Sequence, residues 1–81
     1  MAAKAFILIE TVQGRSKEVA TALKQIDGVK SVDTVTGPYD VIAIVEGETQ
    51  DDIGNLVFKI HPIAGISRTV TCLVLETSRE D

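Results

Sequence analysis

Hydrophobic residues are spaced along this chain in two ways, which predict four strands and two helices. Four short segments are apolar at nearly every position, or mix β-forming and polar residues, as strands do. Two longer segments carry apolar residues at i, i+3, i+4 and i+7, which places them on one side of a helix. These residues are Val19, Ala22, Leu23 and Ile26 in the first helix, and Ile53, Leu56, Val57 and Ile60 in the second.

The predicted elements follow the order β-α-β-β-α-β. They span residues 5–12, 15–26, 29–36, 39–45, 49–61 and 66–76, and a polar tail, residues 77–81, follows them. Gly28 is expected to terminate the first helix, and Gly37 with Pro38 to form a tight turn between strands two and three. Thr49 and Asp52 resemble the capping box that begins a helix.

This order is the split β-α-β arrangement. Right-handed crossovers then place the strands in the order 4-1-3-2, all antiparallel, with the two most apolar strands in the centre. A faint internal repeat supports this arrangement, because the segment IDGV after the first helix matches IAGI after the second. The predicted fold class is therefore α+β, with both helices on one face of a four-stranded sheet.

Both sides of the central strands are apolar, although two helices cover only one side of such a sheet. In strand three, Ile42 and Ile44 point to one side, whereas Val41, Ala43 and Val45 point to the other. A large bare apolar surface is rare on a monomer. We therefore predict a homodimer in which two sheets pack face to face.

The composition of the chain excludes several classes of partner and site. The 81 residues carry 12 acidic and 8 basic side chains, a net charge of −4, which argues against direct binding of nucleic acid or an anionic membrane. A single cysteine excludes an intrachain disulfide and a multi-cysteine metal site. No signal peptide or membrane span is evident. We expect one domain over residues 1–81 that is cytoplasmic and needs no cofactor or metal.

Polar side chains suited to a small ligand are predicted to gather at one end of the sheet, where strands three and four both begin. A carboxylate there would pair with an ammonium group, and hydroxyls and backbone N–H groups would bind a carboxylate. Two groups of such residues are expected about 10 Å apart in one chain, on either side of strand one. Together, these residue types suit a small zwitterion. The residues expected at that end are Thr36, Gly37, Pro38, Tyr39 and Asp40 from the hairpin and Thr69 and Thr71 from strand four. Turn formation, interface packing and β-propensity are the structural alternatives for these residues.

Three further residues receive no place in the candidate site. Cys72 is expected to be a small buried hydrophobe. His61 falls at the end of the second helix, where positive charge is favourable, and no catalytic role is assigned to it. Phe58 lies off the apolar side of that helix, which indicates either a second interface or a partly covered side chain.

At these positions the chain resembles the ligand-sensing (RAM) domain of the Lrp/AsnC, or feast/famine, regulators. The segment VTGPYDVIAIVE is similar to the family's hairpin motif, and IAGISRTVTCLVL is similar to its last strand. The resemblance runs from residue 5 to about residue 75. It implies a ferredoxin-like fold, sheet-to-sheet dimers that close into an octamer or decamer, and free amino acids or related metabolites bound between dimers. It carries the ligand-binding role to the candidate ligand-binding residues, which are Gly37, Tyr39, Asp40, Thr69 and Thr71.

Two departures from the family pattern matter. Full regulators also carry a helix-turn-helix DNA-binding domain, whereas strand one here begins near residue 5. We therefore expect a stand-alone sensing domain that regulates transcription or amino-acid metabolism, with full-length regulators as candidate partners. Ala64 stands where the family usually has proline before Gly65. Two other functions stay open: a small dimeric enzyme of the oxygenase or isomerase type, and a purely structural oligomer.

Overall fold

The computed structural model describes residues 2–77 and has the predicted order of elements. The strands and helices are β1 (Ala3–Thr11), α1 (Ser16–Leu23), β2 (Val29–Thr34), β3 (Val41–Gly47), α2 (Gln50–Ile60) and β4 (Ile66–Leu73). The sheet order is β2-β3-β1-β4 and every neighbouring pair is antiparallel, which confirms the predicted α+β topology. Apart from Thr77, the predicted tail lies outside the described residues.

The hydrophobic core lies between the sheet and the two helices. Alternate residues of the central strands point into it and are buried: Ala5, Ile7, Ile9, Val41, Ala43 and Val45. The helices contribute Val19, Leu23, Ile53, Leu56 and Ile60. Helix α1 packs mainly on β2 and β3, and α2 mainly on β3 and β1, so neither helix extensively covers β4.

The predicted tight turn between β2 and β3 is wrong. Strand β2 ends at Thr34 and β3 begins at Val41, so residues 35–40 form a loop. Pro38 has no N–H to donate to a ladder, which helps to end the pairing before this point. The loop is nevertheless tied together, because the Val35 N–H donates to the Asp40 carbonyl at 2.9 Å.

Two other predicted elements extend too far along the chain. Helix α1 ends at Leu23 rather than Ile26, because the next turn tightens: the Ile26 N–H donates to the Leu23 carbonyl, three residues back, at 3.1 Å. Strand β4 ends at Leu73 rather than Glu76. The Val74 N–H still donates to the Lys4 carbonyl at 2.9 Å, so the backbone leaves the sheet gradually.

The internal repeat is visible in two equivalent glycines. Gly28 and Gly65 both have φ near +99°. A β-carbon on Gly28 would lie 2.9 Å from the Leu56 side chain, and one on Gly65 would lie 3.0 Å from Val19. Each glycine thus lets the turn after one helix pack against the other helix. Gly28 does not terminate α1 as predicted, because that helix has already ended at Leu23.

The capping box that begins α2 is confirmed. The Thr49 hydroxyl accepts a hydrogen bond from the Asp52 N–H at 3.3 Å, and the Asp52 carboxylate accepts one from the Thr49 N–H at 3.0 Å. Two N–H groups at the start of the helix are satisfied in this way. Neither helix within residues 2–77 is both long and apolar enough to cross a membrane.

The side of the sheet away from the helices carries a second apolar surface, which we call the open face. Strand pairing assigns to it Phe6, Leu8, Ile42, Ile44, Val70 and Cys72. All are half-buried by their neighbours except Cys72, which is exposed. The prediction that Cys72 is buried is therefore wrong for the single chain, because its side chain projects from the side that the helices leave uncovered.

Candidate functional site

The candidate ligand-binding residues lie on either side of β1. Residues 37–40 and Thr69 are at one end of the sheet, whereas Thr71 pairs with Ile7 near the middle of β1. Ile9 of β1 pairs with Val41 on one side and with Thr69 on the other. The loop before β3 and the start of β4 are therefore two strand spacings apart, about 10 Å. The residues form two groups, residues 37–40 and the two threonines, and β1 separates them.

The Asp40 carboxylate closes the end of the pairing between β1 and β3. Its Oδ2 accepts a hydrogen bond from the Thr11 N–H at 2.8 Å, and this contact is half-buried. The Asp40 N–H donates to the Ile9 carbonyl at 2.9 Å. One carboxylate oxygen thus has a structural partner. Within residues 2–77, no hydrogen bond involves Oδ1, so that oxygen can accept one from a ligand.

Gly37 and Tyr39 shape the loop that presents Asp40. Gly37 has φ of +134°, a backbone conformation that favours glycine. A β-carbon there would meet nothing within 4 Å, so backbone conformation rather than a close contact requires the glycine. Tyr39 is half-buried beside Asp40. Gly37 thus allows the bend of the loop, and Tyr39 brings a phenol to the same loop as Asp40.

Thr69 and Thr71 lie on the helix side of β4, opposite Ile9 and Ile7. Thr69 is half-buried, and its Oγ1 lies 3.0 Å from Nε2 of His61 at the end of α2. Thr71 is exposed. Because α2 packs mainly on β3 and β1, the two hydroxyls border an open shelf beside that helix.

Sequence reasoning missed two partners of the candidate residues. His61 was assigned only to the end of α2, yet its ring contacts Thr69 across the short turn that contains Pro62. The two residues are only eight positions apart, on either side of a compact turn, and this short separation could have indicated the contact. The bond from the Thr11 N–H to Asp40 had no local signal, because it depends on the register of β1 against β3.

The candidate residues do not line the groove beside α1. That groove has a volume of about 780 Å³ and is lined by Gly14, Lys17, Glu18, Thr21, Ala22 and Gln25. On one chain, the candidate site consists of two open polar patches. Among residues 2–77, no three or more His, Cys, Asp or Glu side chains are placed to hold a metal ion.

A match to a family model shows the family to which the chain belongs. Residues 4–81 match the model of the Lrp/AsnC ligand binding domain. The chain belongs to this family. The resemblance seen in the hairpin motif and in the last strand is therefore confirmed, and so is the ferredoxin-like fold of the Lrp/AsnC ligand-binding domain.

The curated relatives of this Lrp/AsnC domain are mostly named as transcriptional regulators. The HTH-type transcriptional regulator FL11 of Pyrococcus horikoshii is 32% identical over 76 residues, which are 94% of this chain and 50% of the regulator. The chain thus spans about half the length of the first curated relatives it matches. One relative is an enzyme: homocitrate synthase of Sulfurisphaera tokodaii is 34% identical over 58 residues, 72% of this chain and 13% of the enzyme.

Solved structures share the fold. TTHA0845 of Thermus thermophilus superposes with a TM-score of 0.90 at 29% identity, covering 96% of this chain and 99% of that one. The feast or famine regulatory protein Rv3291c of M. tuberculosis, in complex with L-methionine, has a TM-score of 0.79 at 22% identity, covering 98% and 54%. At that identity the second likeness shows the fold alone.

Proposed function

We propose that this Lrp/AsnC domain is a sensing and assembly module that binds a free amino acid or a related metabolite. Its output is the regulation of transcription or amino-acid metabolism through partner chains. One observation carries the proposal: residues with a carboxylate and a phenol lie on one side of β1 and two threonines lie on the other, in a chain of a ligand-binding family. Asp40 would pair with the ligand's ammonium group, and the threonine hydroxyls would bind its carboxylate.

The separation of the two patches sets how the site is assembled. An α-amino acid joins its ammonium and carboxylate groups through a single carbon, so it does not reach across the roughly 10 Å that β1 imposes. We infer that the loop of one chain meets the threonines of another, and that the ligand binds between them. Such a site is complete only in an oligomer, which agrees with the absence of these residues from the groove beside α1.

The open face supplies the first step of that assembly. A large apolar side chain contributes roughly 1.5–3 kcal/mol when it is fully buried, and six apolar residues of the open face are half-buried or exposed on the single chain. We infer a homodimer with the two open faces in contact. Dimers would then close into a ring, an octamer or decamer, which places ligand sites where dimers meet.

The relatives support both the ligand class and the partner class. L-methionine is bound to the feast or famine regulatory protein Rv3291c, so a free amino acid is our first choice of ligand here. FL11 is named as a transcriptional regulator, so full-length Lrp/AsnC regulators are candidate partners for co-assembly. The match to part of homocitrate synthase favours a second output, in which the same sensing module controls an enzyme.

Thermal unfolding against the twenty free amino acids, each at millimolar concentration, tests the proposal. A ligand at 100 times its dissociation constant stabilises the folded state by roughly 2.7 kcal/mol, which raises the unfolding midpoint by several degrees in a domain of this size. The informative variant is Asp40→Asn. Its amide oxygen still accepts the bond from the Thr11 N–H, whereas the negative charge is lost.

A selective shift in the wild type that is abolished by Asp40→Asn supports amino-acid binding at this site. Asp27→Asn is the matched control, because it removes the same charge from an exposed turn before β2, at the other end of the sheet. No shift with any amino acid contradicts the proposed ligand class. An equal shift in the wild type and in Asp40→Asn contradicts the role of Asp40. Measured turnover of a substrate would instead favour an enzyme.

A further inference from the structure

One flank of α2 is exposed along its whole length and carries a large apolar side chain. Phe58 is 75% exposed, although the residues on the opposite side of the helix are buried in the core. Asp51, Gly54 and His61 are also exposed and lie on the same flank, since the four residues are three, four and three positions apart. We call these four residues the α2 flank. Nothing in the packing of the single chain explains its composition.

Gly54 is the second unexplained feature of the α2 flank. Glycine in a helix interior is destabilising relative to alanine. A β-carbon at Gly54 would meet nothing within 4 Å, so the fold of the single chain does not need the glycine. Its effect is to leave a hollow on the helix surface, one turn before Phe58. A hollow of this kind suits the close approach of a side chain from another molecule.

The spacing of the α2 flank is palindromic, and this identifies the other molecule. Two copies of α2 that pack antiparallel about a twofold axis would place Phe58 of each copy over Gly54 of the other. The same axis would place Asp51 opposite His61, so that a carboxylate meets an imidazole at both ends. Antiparallel helices also have opposed dipoles, which is favourable. The flank is therefore complementary to itself in shape and in hydrogen-bonding groups.

The α2 flank is continuous with the candidate ligand site. The Nε2 atom of His61 is 3.0 Å from the Thr69 hydroxyl. If Thr69 donates to Nε2, the proton of the imidazole is on Nδ1, from which it can be donated to a carboxylate such as Asp51 of another copy. A ligand that binds Thr69 would act directly on this chain of hydrogen bonds. Contact between two flanks and occupancy of the ligand site are linked through one side chain.

We propose that the α2 flank is the surface through which one sheet-to-sheet dimer binds the next, as a twofold pair of antiparallel helices. This inference rests on the proposed function, in which dimers assemble further, and it names the surface that does so. The occupant is a second copy of this chain. Phe58, in the hollow of Gly54, supplies most of the affinity, and the pairing of Asp51 with His61 fixes the register.

Sedimentation velocity of the whole protein over a range of concentrations tests the proposal. Gly54→Gln fills the hollow and also raises helix propensity. We expect it to leave the thermal midpoint unchanged or higher, while dimers associate at least about tenfold more weakly. Phe58→Gln should weaken association of dimers to a similar extent. Asn55→Gln is the matched control on the neighbouring, exposed flank of the same helix, and its assembly should equal that of the wild type.

The outcomes separate this inference from the proposed function. Loss of assembly beyond the dimer in Gly54→Gln and Phe58→Gln, with Asn55→Gln unchanged, supports the α2 flank as the surface. Unchanged assembly in both variants overturns the inference alone, because dimers then meet through another surface and the proposed ligand site stands. A wild type that never exceeds a dimer, and whose dimer Gly54→Gln leaves intact, overturns both the inference and the proposed ring of dimers. If the wild type is instead a dimer that Gly54→Gln dissociates and Leu8→Lys leaves intact, that dimer forms through the α2 flank. This result supports the flank and overturns the sheet-to-sheet dimer.

Discussion

The two sides of the sheet are made by the same strands and have similar apolar content, yet their states differ. In β1, Ile7 and Ile9 point to the helices and are fully buried, whereas Phe6 and Leu8 point to the open face and are only half-buried. Both sets follow the alternation that every strand imposes. The difference arises from the helices, which cover one side only. One side is therefore completed within the chain, whereas the other is the side that the second chain of the proposed dimer would cover.

This difference separates two kinds of residue that look alike in the sequence. Residues of the covered side determine whether the chain folds, because their burial is part of folding itself. In the proposed dimer, residues of the open face determine whether folded chains associate. Substitutions at neighbouring positions of β1 should therefore affect different measurements, and this can be tested directly.

The largest effect on folding is expected from Ile7→Ala. Ile7 is fully buried in the core, so its truncation removes apolar contacts and leaves a cavity. The free energy of unfolding should fall by about 2–5 kcal/mol, measured by urea denaturation at one fixed protein concentration. Leu8→Ala is the control on the open face, and the cost of this change should depend on protein concentration because it acts through association. Equal, concentration-independent losses would break the distinction between the two sides.

The next effect is the loss of the dimer in Leu8→Lys. A charge at the centre of the open face is costly to bury between two sheets but remains in water on a single chain. We expect sedimentation to give no species larger than a pair of chains joined through the α2 flank, with unchanged far-ultraviolet circular dichroism. The single cysteine provides a second measurement, because Cys72 is exposed on the open face of one chain. Its thiol should react at least about tenfold faster in Leu8→Lys than in the wild type.

A wild-type thiol that reacts as fast as the thiol of the variant would contradict coverage of the open face. Gln25→Lys places the same charge on an exposed position just after α1, on the helix side of the sheet, and serves as the control. It should leave both the mass and the thiol rate close to those of the wild type.

The smallest effect is expected from Arg68→Gln. The Arg68 guanidinium lies 3.0 Å from the Glu10 carboxylate, and the two side chains are 61% and 36% exposed. Water and salt screen such a pair, so its loss should cost less than about 1 kcal/mol, measured by thermal unfolding in low and high salt. A larger loss in the wild-type background than in the Leu8→Lys background would show that the second sheet buries this pair.

Local patterns predicted most of the fold. The apolar spacing of the two helices and the Thr49–Asp52 capping box identified α2 within about one residue at each end. The order of elements, with right-handed crossovers, was sufficient for the strand order. The ends of α1 and β4 were predicted too far along the chain, because apolar residues continue past the point where backbone hydrogen bonding changes.

The candidate site was predicted less completely than the fold. The sequence indicated which residue types gather at one end of the sheet. Asp40 directly precedes β3, Thr69 lies in the first half of β4, and both strands start at that end. It did not indicate that Asp40 already accepts a bond from Thr11, or that Thr69 meets His61. Those contacts join residues distant in sequence, and they depend on register and on the direction of side chains.

The sequence by itself determined the elements, their order, the two apolar sides of the sheet and membership of the Lrp/AsnC family. These properties follow from short-range periodicity and from motifs of a few residues, both of which are local in the sequence. The tertiary structure decided which apolar side is covered, where the loop before β3 begins, and which flank of α2 is left with Phe58 beside a hollow. These depend on packing between elements, because the burial of a side chain is set by what lies opposite it and not by its neighbours in sequence.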